Sequence, residues 1–393
     1  MLSGKKILLV GSYYFENLGD PLFIITTKRM LEQQHHANVD VADLFGRTHL
    51  SVASDSDTVT VKNKKSNLLK KMCKKMLRIP YRACKKAMHK TKLQKMYSQM
   101  VQGYDAVVIP GGGFISFSRT FPYHDNIGAL ADACRKQKIA FCMNAVGVCR
   151  DVDCLLHEEK WKRILHSESV RYLTCRDGKQ LIEQVCGYPV KQVACTAVSA
   201  GDLFEIYRDK SSETIGIGVI RGNAFSSYGF DLSEEQLIGF YVDLGKELQS
   251  QGYRVKYFTN GLMSDYDIGR KVVALLNDDT LLLKRPETPD ELLSQIASFK
   301  TVAVARLHAA ISALSLNVPT VLFCWGVKGK DFMQMAGASS YAISPENMTV
   351  PYVTERIKSV MEHGWDQEKR QELQKNAADS ILAMCEALTE NKM

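Results

Sequence analysis

The sequence contains no C-x-x-C pair, no G-x-G-x-x-G segment and no apolar run of the roughly 20 residues that cross a bilayer. Its eleven cysteines are odd in number and scattered, which is typical of reduced, mostly buried thiols and excludes a disulfide scaffold or a zinc ribbon. The first apolar stretch, Ile7 to Val10, is too short for a signal peptide. We therefore expect a cytoplasmic protein with no metal and no resident cofactor.

Acidic residues are missing from the window between Lys62 and Lys95, which holds 14 Lys and Arg. The net charge of the chain is +8, yet outside this window 37 basic residues face 43 acidic ones. Aromatic residues are too few in the window to favour a nucleic-acid partner. Apolar residues recur in it at helical spacing: Leu68, Leu69, Met72, Met76 and Leu77. The pattern predicts a basic amphipathic helix on an anionic membrane, or else a solvated helix packed on the first domain.

Elsewhere, short β-branched runs alternate with helical stretches, which is the pattern of parallel sheets with crossover helices. A chain of 393 residues is too long for one ordinary core. We predict an α/β fold with two doubly wound Rossmann-like domains and ligands in the cleft between them. Residues 1–210 form the first domain, and residues 211–393 form the second with two C-terminal helices. Predicted strands are 5–11, 106–110, 139–146, 170–175, 214–220, 254–258, 280–283, 301–305 and 320–323.

Two loops at predicted strand ends of the first domain carry unusual residues. The loop that contains Asn17, Gly19 and Asp20 lies between a strand and a helix, where backbone N–H groups could hold an anion. Alternatively, Asp20 only caps that helix. The second loop is Gly111-Gly112-Gly113, and three glycines at a strand end indicate either a close approach of the backbone to a ligand or domain, or a structural turn.

A third loop, in the second domain, is Arg306-Leu307-His308. Alternation at a strand end would aim Arg306 and His308 the same way. The guanidinium is a planar fork for phosphate or carboxylate, and the imidazole can move a proton near neutral pH. The alternative is that His308 caps the next helix.

Together with Arg176-Asp177 and Lys328-x-x-x-Phe332, these loops resemble the motifs of the polysaccharide pyruvyl transferase family over residues 5–340. The resemblance implies a GT-B-like fold and transfer of the enolpyruvyl unit of phosphoenolpyruvate to sugar hydroxyls, giving a pyruvate ketal in cell-surface or capsular polysaccharide. Phosphoenolpyruvate would be a co-substrate rather than a cofactor. A lipid-linked saccharide acceptor would agree with a peripheral position on the inner face of the cell membrane.

The resemblance also assigns roles. Phosphoenolpyruvate carries a phosphate and a carboxylate, so at least two cationic groups should bind it. Arg221 and Arg306 would bind this donor, with Leu307 beside them. His308 is the candidate general acid. Lys328 would neutralise the departing phosphate, unless neighbouring Lys330 does so or Lys328 is an ion-paired surface lysine.

From the first domain, Asp20 or Asn17 would orient or deprotonate the acceptor, and Gly19 with the glycine triplet 111–113 would line the cleft. Two other functions stay open at this point. One is a GT-B glycosyltransferase that uses a nucleotide sugar, and the other is a non-catalytic sugar-binding relative.

Overall fold

A computed structural model describes residues 2–49, 87–117, 123–149, 157–226 and 229–389. The strands of the first half are β1 Lys6–Gly11, β2 Asn38–Asp43, β3 Ala106–Ile109, β4 Ile115–Ser116, β5 Ala140–Val146, β6 Val148–Cys149, β7 Val170–Cys175 and β8 Lys191–Gln192. Its helices are α1 Gly19–His35, α2 over residues 87–100, α3 His124–Gln137, α4 Glu158–Leu165, α5 Lys179–Cys186 and α6 Ala200–Phe204.

The second half continues the alternation of strands and helices. Its strands are β9 Thr214–Gly218, β10 Arg254–Phe258, β11 Thr301–Val304, β12 Thr320–Phe323 and β13 Ala342–Ile343. Its helices are α7 Asn223–Ser226, α8 Glu234–Ser250, α9 Met263–Leu276, α10 Pro289–Ala297, α11 Leu307–Ser315, α12 Val327–Met335, α13 Val350–His363 and α14 Gln367–Thr389.

Each half has one main parallel sheet, and in the first half β4 pairs with β6 in a separate two-stranded parallel sheet. In the described residues of the first half the order is β2-β1-β3-β5-β7-β8, and in those of the second it is β10-β9-β11-β12-β13. In both main sheets the second strand along the chain pairs with one edge of the first strand, and the next strand of the sheet pairs with its other edge. The strand order therefore reverses between β1 and β3, and again between β9 and β11. Ligands of doubly wound sheets bind in the crevice at such points, at the carboxyl ends of the strands.

One hydrophobic core joins the two halves. It contains buried side chains of α1, such as Phe23 and Leu31, together with Ile311 and Leu314 of α11. The last helix, α14, crosses back to the first sheet and packs on β5 and β7. There the hydroxyl of Tyr172 donates a hydrogen bond to the carbonyl oxygen of Ser380 at 3.0 Å. The sequence predicted α14 as part of the second domain, and the boundary at residue 210 stays a prediction.

Most predicted elements are present, and one predicted strand is wrong. The strands over 170–175, 254–258 and 320–323 match residue for residue. Residues 280–283 do not form a strand, because the side chain of Asp278 accepts a hydrogen bond from the backbone N–H of Thr280 and starts a 3₁₀ turn at Asp279–Leu281. Most of the basic window, residues 62–86, lies outside the described residues. Within the described ranges, no helix combines the length and apolarity needed to span a membrane.

Candidate active site

The motif loops lie at the two places where strand order reverses. After β1 the chain passes through a loop that contains Asn17 and enters α1 with Gly19 and Asp20, and the loop after β3 contains the glycine triplet. In the second half, Arg221 follows β9 and Arg306 follows β11. The halves meet directly here, since the backbone N–H of Leu18 donates to the carbonyl oxygen of Asn260 at 2.9 Å.

His308 of α11 packs directly against Gly19 of α1. A Cβ atom on Gly19 would overlap the imidazole, so only glycine permits this approach. The imidazole is 8% exposed, and its centroid lies 5.5 Å from that of the Phe23 ring. His308 therefore lies where the two halves of the chain touch.

His308 is held from the first sheet by Arg176. Nη1 of Arg176 lies 3.0 Å from Nε2 of His308, and Nε of Arg176 donates to Oδ2 of Asp177 at 3.1 Å. Oδ1 of Asp177 accepts from the backbone N–H of Val148 at 2.7 Å. A guanidinium has no acceptor atom, so Nε2 must accept and the proton of the neutral imidazole belongs on Nδ1.

Asp265, in the first turn of α9, organises the arginines of the second half. Its buried carboxylate accepts two hydrogen bonds from Arg306, from Nε at 2.8 Å and from Nη2 at 2.7 Å. It also accepts the backbone N–H of Arg221 at 3.1 Å. The Nε and Nη2 edge of the Arg306 guanidinium is thus already hydrogen-bonded. Asp265 gives Arg306 a fixed orientation and anchors the backbone at Arg221.

The Arg221 side chain is differently placed, because its Nε atom is buried without a hydrogen-bond partner among the described residues. Burial and then the positive charge of Arg306 lower the pKa of Arg221. Two neighbouring guanidinium groups, one with an unsatisfied N–H, favour an anion between them.

Lys328 approaches the glycine triplet from the second half. A Cβ atom on Gly113 would lie 3.0 Å from Nζ of Lys328. Gly111 and Gly112 have φ angles of 142° and 83°, a region that favours glycine. None of the ion pairs within 4.0 Å among the described residues involves Lys328. Its neighbour Lys330 is exposed, and its charge lowers the pKa of Cys324 against the larger effect of burial. The triplet therefore permits a close approach of the other half.

Asp20 is the carboxylate of this crevice. Burial raises the pKa of Asp20 to about 6, although the charges of Arg176, Lys328, Arg47 and Arg306 oppose the shift. The sequence left open that Asp20 only caps α1. The helix begins at Gly19, so Asp20 lies within its first turn, and no side chain caps this end. Asp20 is thus available as a proton acceptor near neutral pH.

His308 has the opposite preference. Burial, followed by the charges of Arg176, Lys328 and Arg306, holds the pKa of His308 well below its usual range. In the ligand-free protein the imidazole is therefore neutral. The predicted cap is not formed either, since His308 lies inside the first turn of α11 and its ring contacts Arg176.

The alternation on which the expected common direction of Arg306 and His308 depended does not extend to His308, because α11 begins at Leu307. The two side chains bind different partners, Asp265 and Arg176. Leu307 lines a cavity of about 30 Å³ together with Arg176 and Lys328.

Asn17 lies in the loop that touches the second half. Its Oδ1 atom and Nδ2 of Asn260 are both buried without a hydrogen-bond partner in the described part of the chain. The structure thus brings Asn17, Gly19, Asp20 and the glycine triplet to one crevice with the second-half residues. Sequence reasoning missed the roles of Arg176 and Asp265. The Arg176-Asp177 pair was a visible signal, whereas Asp265 had none beyond an acidic residue near a helix start.

Comparisons with known proteins agree with this architecture. A family model described as polysaccharide pyruvyl transferase matches residues 17–325. No curated protein matches the sequence significantly. Among solved structures, UDP-GlcNAc 2-epimerase of Neisseria meningitidis bound to UDP-GlcNAc is similar with a TM-score of 0.55 at 11% identity, covering 98% of this chain and 100% of that chain. The Methanocaldococcus jannaschii UDP-GlcNAc 2-epimerase has a TM-score of 0.54 at 11% identity, covering 98% and 99%.

At 11% identity, this likeness shows the fold alone, which is the GT-B arrangement of two parallel α/β sheets. The family model is more specific, because it spans most of the chain and includes Asn17, Arg176, Arg221 and His308. This protein belongs to the polysaccharide pyruvyl transferase family.

Proposed function

We propose that this protein transfers the enolpyruvyl unit of phosphoenolpyruvate to two hydroxyls of a saccharide and releases phosphate. The observation that carries the proposal is the Arg221–Arg306 pair, in which the Nε atom of Arg221 is buried without a described partner. A small ligand with two anionic groups would remove the repulsion between these cations and satisfy that N–H. Phosphoenolpyruvate has a phosphate and a carboxylate on a three-carbon frame.

The first turns of three helices support an anionic donor at the same place. Asp20, His308 and Lys328 lie in the first turns of α1, α11 and α12. A helix amino terminus carries partial positive charge and unpaired N–H groups, which favour phosphate. Lys328 would balance the charge that develops on the phosphate as it departs.

In the proposed reaction, a proton adds to the methylene carbon, C3, and C2 becomes cationic. One hydroxyl oxygen bonds to C2, the bond between C2 and the phosphate oxygen breaks, and a second hydroxyl oxygen bonds to C2. The two hydroxyl protons replace the one delivered to C3 and the one carried away on hydrogen phosphate, so the overall reaction takes up no protons.

His308 and Asp20 would divide the proton transfers. A bound trianion offsets the cations around His308 and raises the pKa of its imidazole, which then takes up a proton and delivers it to C3. This requires Arg176 to leave Nε2, and the freed guanidinium would then bind the phosphate. Asp20, ionised above about pH 6, would accept a hydroxyl proton from the acceptor.

Titration calorimetry with phosphoenolpyruvate and with UDP-GlcNAc tests the donor. We expect phosphoenolpyruvate to bind and Arg221→Ala to weaken it at least tenfold, because a charge-assisted contact is worth about 1.5–3 kcal/mol. Arg254→Ala is the matched control. Arg254 is exposed at the amino end of β10, whereas Arg221 lies at the carboxyl edge of the same sheet. Tighter binding of UDP-GlcNAc, or equal phosphoenolpyruvate affinity in both variants, would favour the nucleotide-sugar alternative.

A further inference from the structure

An aromatic row extends from the crevice along the carboxyl edge of the first sheet. Two phenylalanines of this row are exposed. Phe15, after β1, is 37% exposed, and Phe45, after β2, is 40% exposed. The other described phenylalanines of this half are all buried. Exposed rings at the mouth of a ligand crevice keep apolar surface in contact with water, and a ligand that covers this surface gains free energy of binding.

The row is continuous. The guanidinium carbon of Arg47 lies 5.7 Å from the ring centroid of Phe15 and 5.3 Å from that of Phe45. The Phe45 ring lies 5.8 Å from Tyr123, whose ring is 5.5 Å from that of Phe114. We call Phe15, Arg47, Phe45 and Tyr123 the aromatic platform.

A single buried carboxylate fixes Arg47 and the backbone at Phe45. Asp43, whose side chain is fully buried, accepts hydrogen bonds from Nε and Nη2 of Arg47 at 3.0 and 2.7 Å. It also accepts the backbone N–H groups of Phe45 at 2.9 Å and of Tyr14 at 3.1 Å. The loops after β1 and β2 are thus tied to one residue. A preformed surface of this kind loses little conformational entropy when it binds a ligand.

The platform adjoins the crevice electrostatically as well as along the sheet edge. The charge of Arg47 acts on Asp20. Burial first, and then the charge of Asp20, raise the pKa of the Tyr123 hydroxyl. A ligand on the platform would therefore lie beside the crevice that contains Asp20.

We infer that the aromatic platform binds a pyranose ring of the acceptor saccharide. A pyranose has one face of C–H bonds and a rim of hydroxyls, which complements a phenyl face flanked by a guanidinium and a phenol. An apolar protein partner fits less well, because the charge of Arg47 lies in the centre of the patch. The identification of this saccharide as the acceptor rests on the proposed function.

Saturation-transfer NMR with lactose, cellobiose, maltose and chitobiose tests the inference without the donor. We expect at least one disaccharide to receive saturation on the C–H protons of one ring face. Phe45→Ala should weaken this binding about fivefold to tenfold, the size of one aromatic contact, and Phe45→Tyr should retain it. Tyr207→Ala is the matched control, since Tyr207 is 70% exposed and lies away from the platform. Its neighbour Arg208 donates a hydrogen bond to the carbonyl oxygen of Lys300, at the amino end of β11.

The outcomes separate this inference from the proposed donor. No saturation transfer to any of the four sugars, or equal transfer in wild type and Phe45→Ala, overturns the platform even if phosphoenolpyruvate binds. Loss in Phe45→Ala with retention in Phe45→Tyr supports it, even if phosphoenolpyruvate fails to bind and the donor proposal falls. Thermal melts of each variant show whether a loss of saturation transfer is caused by unfolding. If Phe45→Ala is unfolded, saturation transfer is compared between Phe45→Tyr and wild type instead.

Discussion

Nη1 of Arg176 lies 3.0 Å from Nε2 of His308 and thereby joins the end of β7 to the first turn of α11. Burial, together with the charge of Arg176 and its cationic neighbours, lowers the pKa of His308 and keeps the imidazole neutral. The contact with Arg176 fixes the tautomer. A histidine in this state becomes a general acid only when a ligand changes its surroundings. If the proposed function holds, donor binding and proton uptake by His308 are a single event.

The first prediction follows from that coupling. At pH 8, where the donor phosphate is already ionised, phosphoenolpyruvate binding should take up as much as one proton in wild type and none in His308→Gln. Calorimetry in buffers of different ionisation enthalpy measures this number. Because binding raises a pKa that lies low in the free protein, affinity should fall as pH rises above neutrality. The same proton number in both proteins would remove His308 from the acid role.

Asp20→Asn should separate chemistry from donor binding. The variant should lose about 10²–10⁴-fold in turnover, the usual size of positioned proton transfer, while phosphoenolpyruvate affinity changes little. Wild-type kcat/KM should rise with pH through about 6, the pKa of Asp20 in the free protein, and this limb should be missing in the variant. Asp132→Asn, at a half-exposed carboxylate, is the control. Turnover within a few fold of wild type would exclude Asp20 as the base.

The same substitution should stabilise the fold at pH 7.5. The folded-state pKa of Asp20 is raised, so the ionised form costs stability, and this cost grows between the unfolded pKa near 4 and the folded value of about 6. Asp20→Asn should therefore melt at a higher temperature than wild type at pH 7.5, and the difference should narrow at pH 4. A difference independent of pH would contradict this account.

Asp265→Asn should destabilise the protein and weaken donor binding together. Removing one partner of a mostly buried ion pair leaves Arg306 uncompensated, and we expect a loss of about 2–4 kcal/mol in the free energy of unfolding. Donor affinity should fall about tenfold, since Arg306 loses its fixed orientation. The matched control is Asp267→Asn on the same helix, whose carboxylate is half-exposed. Denaturant titration and calorimetry measure both quantities, and unchanged donor affinity would exclude a positioning role.

The basic window should bind anionic membranes. We expect the protein to co-sediment with phosphatidylserine vesicles at low salt and to be released as salt rises, because exposed charges are screened over about 8 Å at physiological ionic strength. Its apolar residues should leave a salt-resistant remainder. Replacing Lys70, Lys71, Lys74 and Lys75 by Glu should weaken vesicle binding without changing turnover on a soluble acceptor. The control places Glu at 162, 191, 210 and 246, which are scattered exposed lysines. Equal binding of the two variants, or no binding of wild type, would contradict the prediction.

The sheets could be predicted from sequence because their strands are short buried apolar runs with polar ends. Thr320–Phe323 is such a run and matches its strand residue for residue. The run at 280–283 looks the same, yet a local bond from Asp278 to Thr280 starts a turn there. Apolar content alone does not distinguish these two outcomes.

The site was predictable only in part. The loops of Asp20 and Gly113 are visible because a Gly-rich strand end is a local pattern. The partners that define the chemistry are not local, since Arg176 and His308 are 132 residues apart and Asp265 and Arg306 are 41 apart. No local sequence pattern reveals these pairings, and so the neutral state of His308 could not be anticipated.

The return of α14 to the first sheet bears on how the chain folds during synthesis. Residues 367–389 cover β5 and β7, so this face of the first sheet stays uncovered until translation has passed α14, about 200 residues after β7. Contacts of such long sequence separation slow folding, and the exposed apolar face is prone to aggregation until they form. A ribosome-bound chain that stops before α14 would therefore hold an unfinished amino-terminal half, and the last helix would be the segment that completes the first sheet.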